Sequence, residues 1–396
     1  MNIIFTDRLS SNPFDAVSEM RKSGRLVRQK IPIIGKVWLT TDQEITTQIL
    51  KDSENFGVRK PNGKAVGLQW WMPNTIQLLA SNMLAMDGDE HKRLRQIVDR
   101  AFRREAIMAL EPEIESLANE MVAQLFNETD EVDLVSTFAR RFPLAVICEL
   151  LGLPKQDRQK FATWAEGFTR INGVLDFIKL VPRLKAMTKY IKGRVEEARV
   201  SGGKGLIAEL VVSQDQNNDM SDDELIAMVF LLLIAGHETT THLISGGLLA
   251  LLQNEDQKKW LCEDWDRTNI AVEELLRFVT PVQMSKPRYA FANSEIGGVQ
   301  VKKGELIMAL FTAANFDEQL IEDPHLLKLD RKPNRHIAFG SGIHFCLGHQ
   351  LARLEGKHAI KALLSQYPDL ALASDKIKFR KRVGLNALTE LKIKPQ

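Results

Sequence analysis

Cys346 is the residue whose surroundings point most directly to chemistry. It lies in the glycine-rich stretch 339–348, Phe-Gly-Ser-Gly-Ile-His-Phe-Cys-Leu-Gly, and the amphipathic run 347–364 follows at once. Gly342 and Gly348 permit positive φ and the close approach of other groups. Free N–H groups of the loop and the N-terminus of the following helix both stabilise a negative sulfur, so we expect a thiolate. Such a sulfur is suited to bind a metal.

One cysteine limits the kind of metal centre. Zinc and iron–sulfur sites need about four protein ligands, whereas haem iron can take a single cysteine. The pattern Phe-x-x-Gly-x-x-x-Cys-x-Gly resembles the haem-binding signature of the cytochromes P-450, and the chain is similar to their soluble bacterial members. An inert buried cysteine in a glycine-rich turn is the alternative. The resemblance implies haem b (iron protoporphyrin IX), with Cys346 as axial ligand to the metal and further contacts from Phe339, Gly340, His344 and Gly348.

A second motif lies in the middle of a predicted long helix. Ser221 and Glu224 form a Ser-x-x-Glu capping box, which starts a helical pattern that continues to about residue 254. Polar residues interrupt this pattern at 235–240, Ala-Gly-His-Glu-Thr-Thr, where a threonine can bond back to the carbonyl four residues earlier. The alternative is a glycine kink with a solvated histidine and glutamate. The motif resembles the oxygen-activating helix of the family, which implies haem contacts from Ala235 and Gly236 and catalytic proton relay through Glu238 and Thr239.

Basic residues elsewhere are expected to bind the acidic groups of the haem. His91 and Arg95 stand at i and i+4 in a predicted helix over 89–106, so they project from one face. By itself such a pair is more typical of a solvated face. The resemblance implies that both bind haem propionates, and that Arg288 and His336 are further propionate contacts.

An ion-pair network is predicted in the part of the chain between the long helix and residues 339–348, here called the cysteine loop. Glu274 and Arg277 are i, i+3 neighbours near the end of a helical pattern, and Arg331 follows in a later loop. Alone, Glu-x-x-Arg indicates no more than a surface ion pair. The resemblance implies a buried Glu–Arg–Arg network with a structural role. The chain departs from the family pattern at Phe316, where relatives commonly carry arginine, and this puts one local salt bridge in doubt.

Aromatic and apolar residues are expected to line the substrate pocket. The segment 59–86 is long, irregular and aromatic, and loops of this length are usually functional. A satellite hydrophobic cluster is the alternative for this segment. The stretch 168–182 resembles the family's mobile lid over the substrate entrance. By resemblance, the residues that contact the substrate are Trp70, Trp71, Met72, Phe168, Phe177, Gln283 and Met284.

Composition narrows the class of protein. The 396 residues are 44% hydrophobic and 26% charged and contain no Pro/Gly/Ser-rich linker, so we expect one domain over 1–396. The net charge of +2 argues against nucleic-acid binding. Three cysteines without a paired framework, no signal peptide and no apolar run of about 18 residues predict a cytoplasmic protein with no membrane anchor. We also expect a monomer, mainly α with a small β region, in a cytochrome P-450 fold with the long helix over the haem.

The resemblance implies a monooxygenase. The reaction would insert one oxygen atom from O2 into an apolar small molecule, by hydroxylation or epoxidation, with electrons from NAD(P)H delivered by a ferredoxin or flavodoxin and its reductase. A secondary metabolite such as a polyketide, a terpenoid or steroid, or a fatty acid is the implied substrate. One alternative is a peroxide-driven peroxygenase or haem-thiolate isomerase, which would need no acid–threonine pair. Another is a non-catalytic haem sensor.

Two basic stripes are predicted to receive the electron donor. One would share a face of the 89–106 helix, and the other repeats every four residues after Cys346. A merely solubilising surface is the alternative. Because the overall charge is close to neutral, a local basic patch would steer an acidic partner. The stripes consist of Arg93, Arg100 and Arg104, and of Arg353, Lys357 and Lys361.

Overall fold

The computed structural model describes residues 5–31, 34–60, 82–169, 174–217, 220–380 and 382–396. Helices make up 56% of the chain and the sheets are small, which confirms the predicted mainly α class. In chain order the α-helices are α1 Phe5–Ser11, α2 Pro13–Arg21, α3 Gln43–Lys51, α4 Gly88–Asp99, α5 Arg104–Ala109, α6 Glu111–Ala123, α7 Arg141–Leu151, α8 Arg158–Thr169, α9 Val174–Ser201, α10 Leu206–Asn217, α11 Asp222–Leu252, α12 Glu255–Cys262, α13 Thr268–Val279, α14 Phe311–Asn315 and α15 His349–Gln366.

The β-strands are short and form small sheets at the edges of the helical body. The strands are β1 Leu26–Ile31, β2 Gly35–Thr40, β3 Phe56–Gly57, β4 Val132–Asp133, β5 Arg288–Ala290, β6 Ser294–Ile296, β7 Val299–Val301, β8 Leu306–Met308, β9 Ala371–Leu372, β10 Lys378–Phe379, β11 Leu388–Glu390 and β12 Lys392–Lys394. A five-stranded sheet has the order β1-β2-β8-β5-β3, and a three-stranded sheet has the order β4-β12-β9. Strands β1 and β2 pair antiparallel.

Helix α11 is the central element of the fold. Its predicted capping box is confirmed, because Ser221 Oγ accepts from the Glu224 N–H at 3.2 Å and the Glu224 carboxylate accepts from the Ser221 N–H at 2.8 Å. It packs against α7, α13 and α15. By length and composition α11 also suits a membrane span, yet 67% of its most apolar 18 residues are buried inside the protein. A helix apolar around most of its circumference is typical of a core position.

The single helix predicted over 89–106 is wrong, because the chain turns between α4 and α5. Tight turns connect the N–H groups of Ala101 and Phe102 to carbonyls three residues earlier, and both side chains are buried. The turn brings the Phe102 ring close to Gly348, where an added Cβ would lie 3.8 Å from the ring. Burying Phe102 beside the cysteine loop therefore overrides the helical pattern, and the first predicted basic stripe is not continuous.

Glu274, Arg277 and Arg331 form one buried network. Arg277 donates to both oxygens of the Glu274 carboxylate at 2.8 and 2.7 Å, and Arg331 Nε donates to the same oxygens at 3.1 Å. The side chains of Glu274 and Arg277 are fully buried. The remaining Arg277 donors reach main-chain carbonyls, those of Asn315, Pro324 and Leu326. The network thus ties α13 to the segments that precede the cysteine loop.

The departure at Phe316 has a physical explanation. Its ring is buried and lies 5.4 Å from the Arg277 guanidinium, a cation–π distance. It also packs against Phe278, with ring centroids 6.1 Å apart. An aromatic ring therefore covers the network at this position.

Two buried imidazoles lie on the inner part of α11. His237 Nδ1 lies 2.7 Å from the Leu233 carbonyl, whereas neither ring nitrogen of His242 has a partner among the described residues. Burial lowers the pKa of His237 to about 4 and the pKa of His242 to about 3. Both rings are therefore neutral in the folded protein over the physiological range.

We predict that Arg277→Met destabilises the protein by about 3–5 kcal/mol, because it leaves the Glu274 carboxylate buried without its main counterion. Urea denaturation of parent and variant measures the free energy of unfolding. Arg8→Met is the control, since the Arg8–Glu19 pair is exposed and is expected to contribute about 0–1 kcal/mol. Equal losses in the two variants would contradict a stabilising role for the buried network.

A second prediction concerns pH. The His242 pKa rises from about 3 to its ordinary value of 6.5 on unfolding, so below pH 6.5 the unfolded chain binds the extra proton and stability is lost as pH falls. His242→Leu should therefore reduce the pH dependence of the unfolding free energy by up to about 1.4 kcal/mol per pH unit below this value. Urea titrations at about pH 7 and about pH 5 check this. The same slope in parent and variant would show that His242 is not held neutral.

Candidate active site

A cavity of about 350 Å³ lies between α11 and the cysteine loop. Most of its wall is apolar, with side chains such as Ile147, Leu232 and Leu243. Of the residues singled out from the sequence, the wall includes His91, Arg95, Ala235, Gly236, Thr239, Met284, Arg288, Phe339, Gly340, His344, Cys346 and Gly348.

Two glycines with left-handed backbone shape the cysteine loop. Gly340 has φ 72° and Gly342 has φ 73°, where a side chain would be strained. A Cβ on Gly342 would also lie 2.1 Å from the Leu50 carbonyl oxygen. Both the positive φ and this close contact therefore require glycine at the position. The Cys346 N–H donates to the Phe339 carbonyl at 3.0 Å and closes the loop. Gly348 does not use the positive φ that glycine permits, since its φ is −86° at the start of α15.

The thiolate expected at Cys346 stays a prediction. Burial raises the pKa of the thiol, whereas the Gly348 N–H and the charges on Arg95 and Arg353 act in the opposite direction. Helix α15 begins at His349, three residues beyond the sulfur. A bound metal cation deprotonates a coordinating thiol outright, so a metal at this position would favour the thiolate.

The threonines of α11 bond back along the helix, as predicted. Thr239 Oγ1 donates to the Ala235 carbonyl at 2.9 Å, and Thr240 Oγ1 donates to the Gly236 carbonyl at 3.2 Å. Because the Thr239 proton is used in this bond, the hydroxyl oxygen presents lone pairs to the cavity. Gly236 has a packing role as well, since a Cβ there would lie 3.2 Å from the Ile147 side chain of α7.

Glu238 is buried but is absent from the described cavity wall, although its neighbour Thr239 is part of it. Its carboxylate pairs with Arg382, which comes from the C-terminal segment. Burial lowers the pKa of the Arg382 guanidinium. Sequence reasoning missed this partner, because nothing in the spacing links two residues 144 positions apart.

Basic side chains converge on one end of the cavity. The rings of His91 and His344 meet edge to face with centroids 4.5 Å apart, and burial followed by the charges of His344 and Arg95 lowers the pKa of His91 to about 4. Arg95 donates to the Phe345 carbonyl at 2.7 Å and pairs with Asp99 at 2.8 Å. These bonds hold the basic groups in place around the cavity.

Two predicted site residues lie off the described cavity wall. His336 is not on the described wall, because its Nε2 lies 2.9 Å from Glu273 and its Nδ1 accepts the Ala338 N–H at 3.2 Å. Gln283 is also turned away, since its amide donates to the Leu9 carbonyl at 3.2 Å and to Ser10 Oγ at 3.1 Å. Both side chains use their polar atoms to connect segments of the scaffold.

Several predicted substrate contacts lie outside the part of the chain whose side chains the structure describes. Trp70, Trp71 and Met72 lie outside the described residues, and so does part of the stretch 168–182 expected to form the lid. Phe168 and Phe177 lie on α8 and α9 in segments described by their backbone alone.

Glu355 is a wall residue that sequence reasoning missed. It is 1% exposed, and its Oε1 has no partner among the described residues. Burial raises the pKa of Glu355 well above its ordinary value, and a hydrogen bond with Thr240 opposes this only partly. Its spacing offered a signal, because Leu347, Leu351 and Glu355 recur every four residues and all line the cavity.

The second basic stripe is not free. Arg353 donates to both oxygens of Glu273 on α13 at 2.5 and 2.9 Å, and its guanidinium lies 4.6 Å from the Phe339 ring. Lys357 and Lys361 pair with the α6 carboxylates Glu111 and Glu115, at 2.7 and 3.0 Å. In the first stripe, Arg93 pairs with Glu224, whereas Arg100 and Arg104 are exposed.

Comparison with known proteins places this site in a family. Residues 182–382 match the sequence model described as Cytochrome P450. Over 389 residues the chain is 35% identical to "Polyketide biosynthesis cytochrome P450 PksS" of Bacillus subtilis (strain 168), covering 96% of this chain and 95% of that protein. It is 35% identical over 397 residues to "Vitamin D(3) 25-hydroxylase" of Pseudonocardia autotrophica, covering 98% and 95%. The solved structure of the bacillaene synthase P450 PksS superposes with a TM-score of 0.91 at 34% identity, covering 100% of both chains.

Proposed function

Because the chain belongs to the cytochrome P450 family of monooxygenases, we propose that Cys346 binds the haem iron and that the enzyme oxidises an apolar small molecule. The observation that carries this proposal is a single cavity with the Cys346 sulfur in one wall and Thr239 of α11 in another. The family uses haem iron and O2. Hydroxylation or epoxidation is the reaction that this arrangement supports best.

The cavity residues fit haem b. A thiol suited to an iron atom, apolar walls suited to a flat macrocycle, and a basic end suited to two propionates lie in one space. We assign the propionates to His91, Arg95, Arg288 and His344. When bound, haem supplies the redox and oxygen chemistry, and thiolate ligation favours O–O cleavage.

Two residues of α11, Glu238 and Thr239, would transfer protons beside the haem position. Thr239 Oγ1 donates to the Ala235 carbonyl, so its lone pairs accept a proton or a hydrogen bond from the cavity side. Glu238 holds its carboxylate against Arg382 and must leave that pair to exchange a proton near Thr239. We propose that Glu238 and Thr239 act in sequence in this way.

The substrate we propose is a polyketide-like secondary metabolite, a terpenoid or steroid, or a fatty acid. The apolar side chains on the wall, among them Leu231, Leu232 and Met284, support an apolar compound. The names of the relatives, a polyketide biosynthesis P450 and a vitamin D(3) hydroxylase, are consistent with this range. A peroxygenase or an isomerase would need no acid–threonine pair beside the cavity. NAD(P)H oxidation with product formation, in the presence of ferredoxin and reductase, would separate a monooxygenase from a haem sensor.

We further propose that electrons come from NAD(P)H through a ferredoxin or flavodoxin and its reductase, to a cytoplasmic, monomeric, single-domain enzyme. The docking surface we propose is a basic patch of Arg100, Arg103 and Arg104. These side chains are exposed, and no described residue pairs with them. Phe102, between the first two, lies against Gly348, so the patch is on the cysteine side of the cavity.

The direct test of the function is the spectrum of the ferrous–CO complex. The parent should show the Soret band typical of thiolate ligation, and Cys346→His should lose it even where haem is retained. Cys262→Ser is the control, because Cys262 lies outside the cavity wall and should leave the band in place. An unchanged band in Cys346→His would exclude this sulfur as the ligand.

Thr239→Ala should uncouple turnover. With its proton-handling hydroxyl removed, the variant should still consume NAD(P)H but release hydrogen peroxide in place of product. Peroxide and product are measured per NAD(P)H oxidised. Thr241→Ala is a matched control, since Thr241 Oγ1 likewise donates to the carbonyl four residues earlier, that of His237, at 2.8 Å. Thr241 is not part of the described cavity wall. Coupling as high in Thr239→Ala as in the control would contradict the proton role.

Arg100→Glu should slow reduction by an acidic ferredoxin, most strongly at low salt. Electrostatic steering fades as the Debye length falls from ~10 Å at 0.1 M to ~3 Å at 1 M ionic strength. Stopped-flow reduction rates across this range provide the measurement, and Lys303→Glu, at an exposed position off the cavity, is the control. Substrate binding should not change. Reduction rates that respond equally to both substitutions would argue against the proposed patch.

A further inference from the structure

Lys286 lines the cavity and has no evident role in the scaffold. It lies between two other wall residues, Met284 and Arg288. Its Nζ makes no hydrogen bond or ion pair with any residue that the structure describes, whereas its carbonyl accepts from Ser285 Oγ at 2.9 Å. A cation without a counterion is costly away from bulk water.

The side chain of Lys286 belongs to the cavity wall. More than a third of its surface is open, and burial among surrounding atoms lowers its pKa to about 8. Its place on the wall exposes this residue to a molecule bound in the cavity. An anion bound in that space would restore the full positive charge of the ammonium group.

Lys286 shares its end of the cavity with the groups assigned to the propionates. Lys286, Arg288 and His344 line the same cavity, and Lys286 stands two residues before Arg288 in the chain. The nearby Asp87 carboxylate is already engaged: its Oδ1 lies 3.7 Å from His344 Nε2 and its Oδ2 accepts the Arg59 N–H at 3.0 Å. Among the residues that line the described cavity, Arg95, Lys286 and Arg288 are cationic and Glu355 is the only acidic one.

The guanidinium of Arg288 also leaves donors available. Its Nη1 donates to the carbonyls of Ile49 and Leu50 at 3.2 and 3.3 Å, and no described residue accepts from Nε or Nη2. A carboxylate placed beside Arg288 would thus meet a second cation, Lys286, two residues earlier in the chain.

We propose that Lys286 donates a charge-assisted hydrogen bond to a haem propionate, in addition to the four basic residues assigned above. The proposal rests on the proposed haem-binding function. A carboxylate of the substrate would offer the same chemistry, but the position of Lys286 beside Arg288 and His344 favours the propionate.

Haem loss from the reconstituted holoenzyme tests the proposal. Lys286→Met should release haem to excess apomyoglobin roughly tenfold or more faster than the parent, the effect expected for one lost hydrogen bond to a buried charge. Lys286→Arg should restore retention close to that of the parent, because it keeps the cation. Lys303→Met, at an exposed position off the cavity, is the matched control and should release haem at the parent rate.

Two readouts separate failure of this proposal from failure of the proposed function. The thiolate-type ferrous–CO band in the parent and in the control establishes the haem site independently of Lys286. Spectral titration with a long-chain carboxylic acid then asks whether Lys286 serves the substrate. Parent-like haem retention in Lys286→Met would overturn the proposal, and weakened fatty-acid binding alongside that retention would assign the ammonium to the substrate carboxylate instead.

Discussion

The contact between Gly342 and the carbonyl of Leu50 fixes the position of the cysteine loop. No side chain fits at Gly342, because its Cβ would lie 2.1 Å from that oxygen. The same oxygen accepts from Arg288 at 3.3 Å. Since Leu50 lies in the last turn of α3, its carbonyl belongs to the negative end of the helix and suits a cationic donor. One carbonyl thereby places both the loop that carries Cys346 and a cation at the basic end of the cavity.

Electrostatics explain why this cavity suits haem. Burial raises the pKa of the Cys346 thiol and of the Glu355 carboxyl, while Arg95, Lys286 and Arg288 contribute positive charge. The protein alone therefore leaves the space unbalanced. A group that brings a metal cation to the sulfur and carboxylates to the basic end corrects both imbalances at once. The shape of the fold and the charge of the site thus favour the same cofactor.

Local patterns were sufficient to predict much of the fold. The capping box at Ser221 and the length of α11 each depend on residues close together in sequence. The break between α4 and α5 could not be predicted in this way, because the burial of Phe102 beside Gly348 decides it. Helical periodicity carries no information about a contact across 246 residues of chain.

The candidate site shows the same division between local patterns, which could be predicted, and distant contacts, which could not. Motif spacing correctly led to a cavity wall containing Thr239 and Cys346. Motif spacing could not predict ion pairs between distant segments, such as those of Glu238 with Arg382 and of Arg353 with Glu273. Those partners decide which charges are free: His336 lies against Glu273 and Lys357 pairs with Glu111, and neither pairing follows from the motif spacing. The fold decides which polar atoms remain available, and the sequence pattern does not.

The central claim is that the Cys346 sulfur binds the haem iron. Iron X-ray absorption fine structure of the reconstituted enzyme measures this without reference to activity or to any added ligand. We predict one sulfur neighbour in the first coordination sphere of the iron in the parent and in Cys262→Ser, and none in Cys346→His. A sulfur neighbour that persists in Cys346→His, or a parent iron surrounded only by nitrogen and oxygen, would contradict the account.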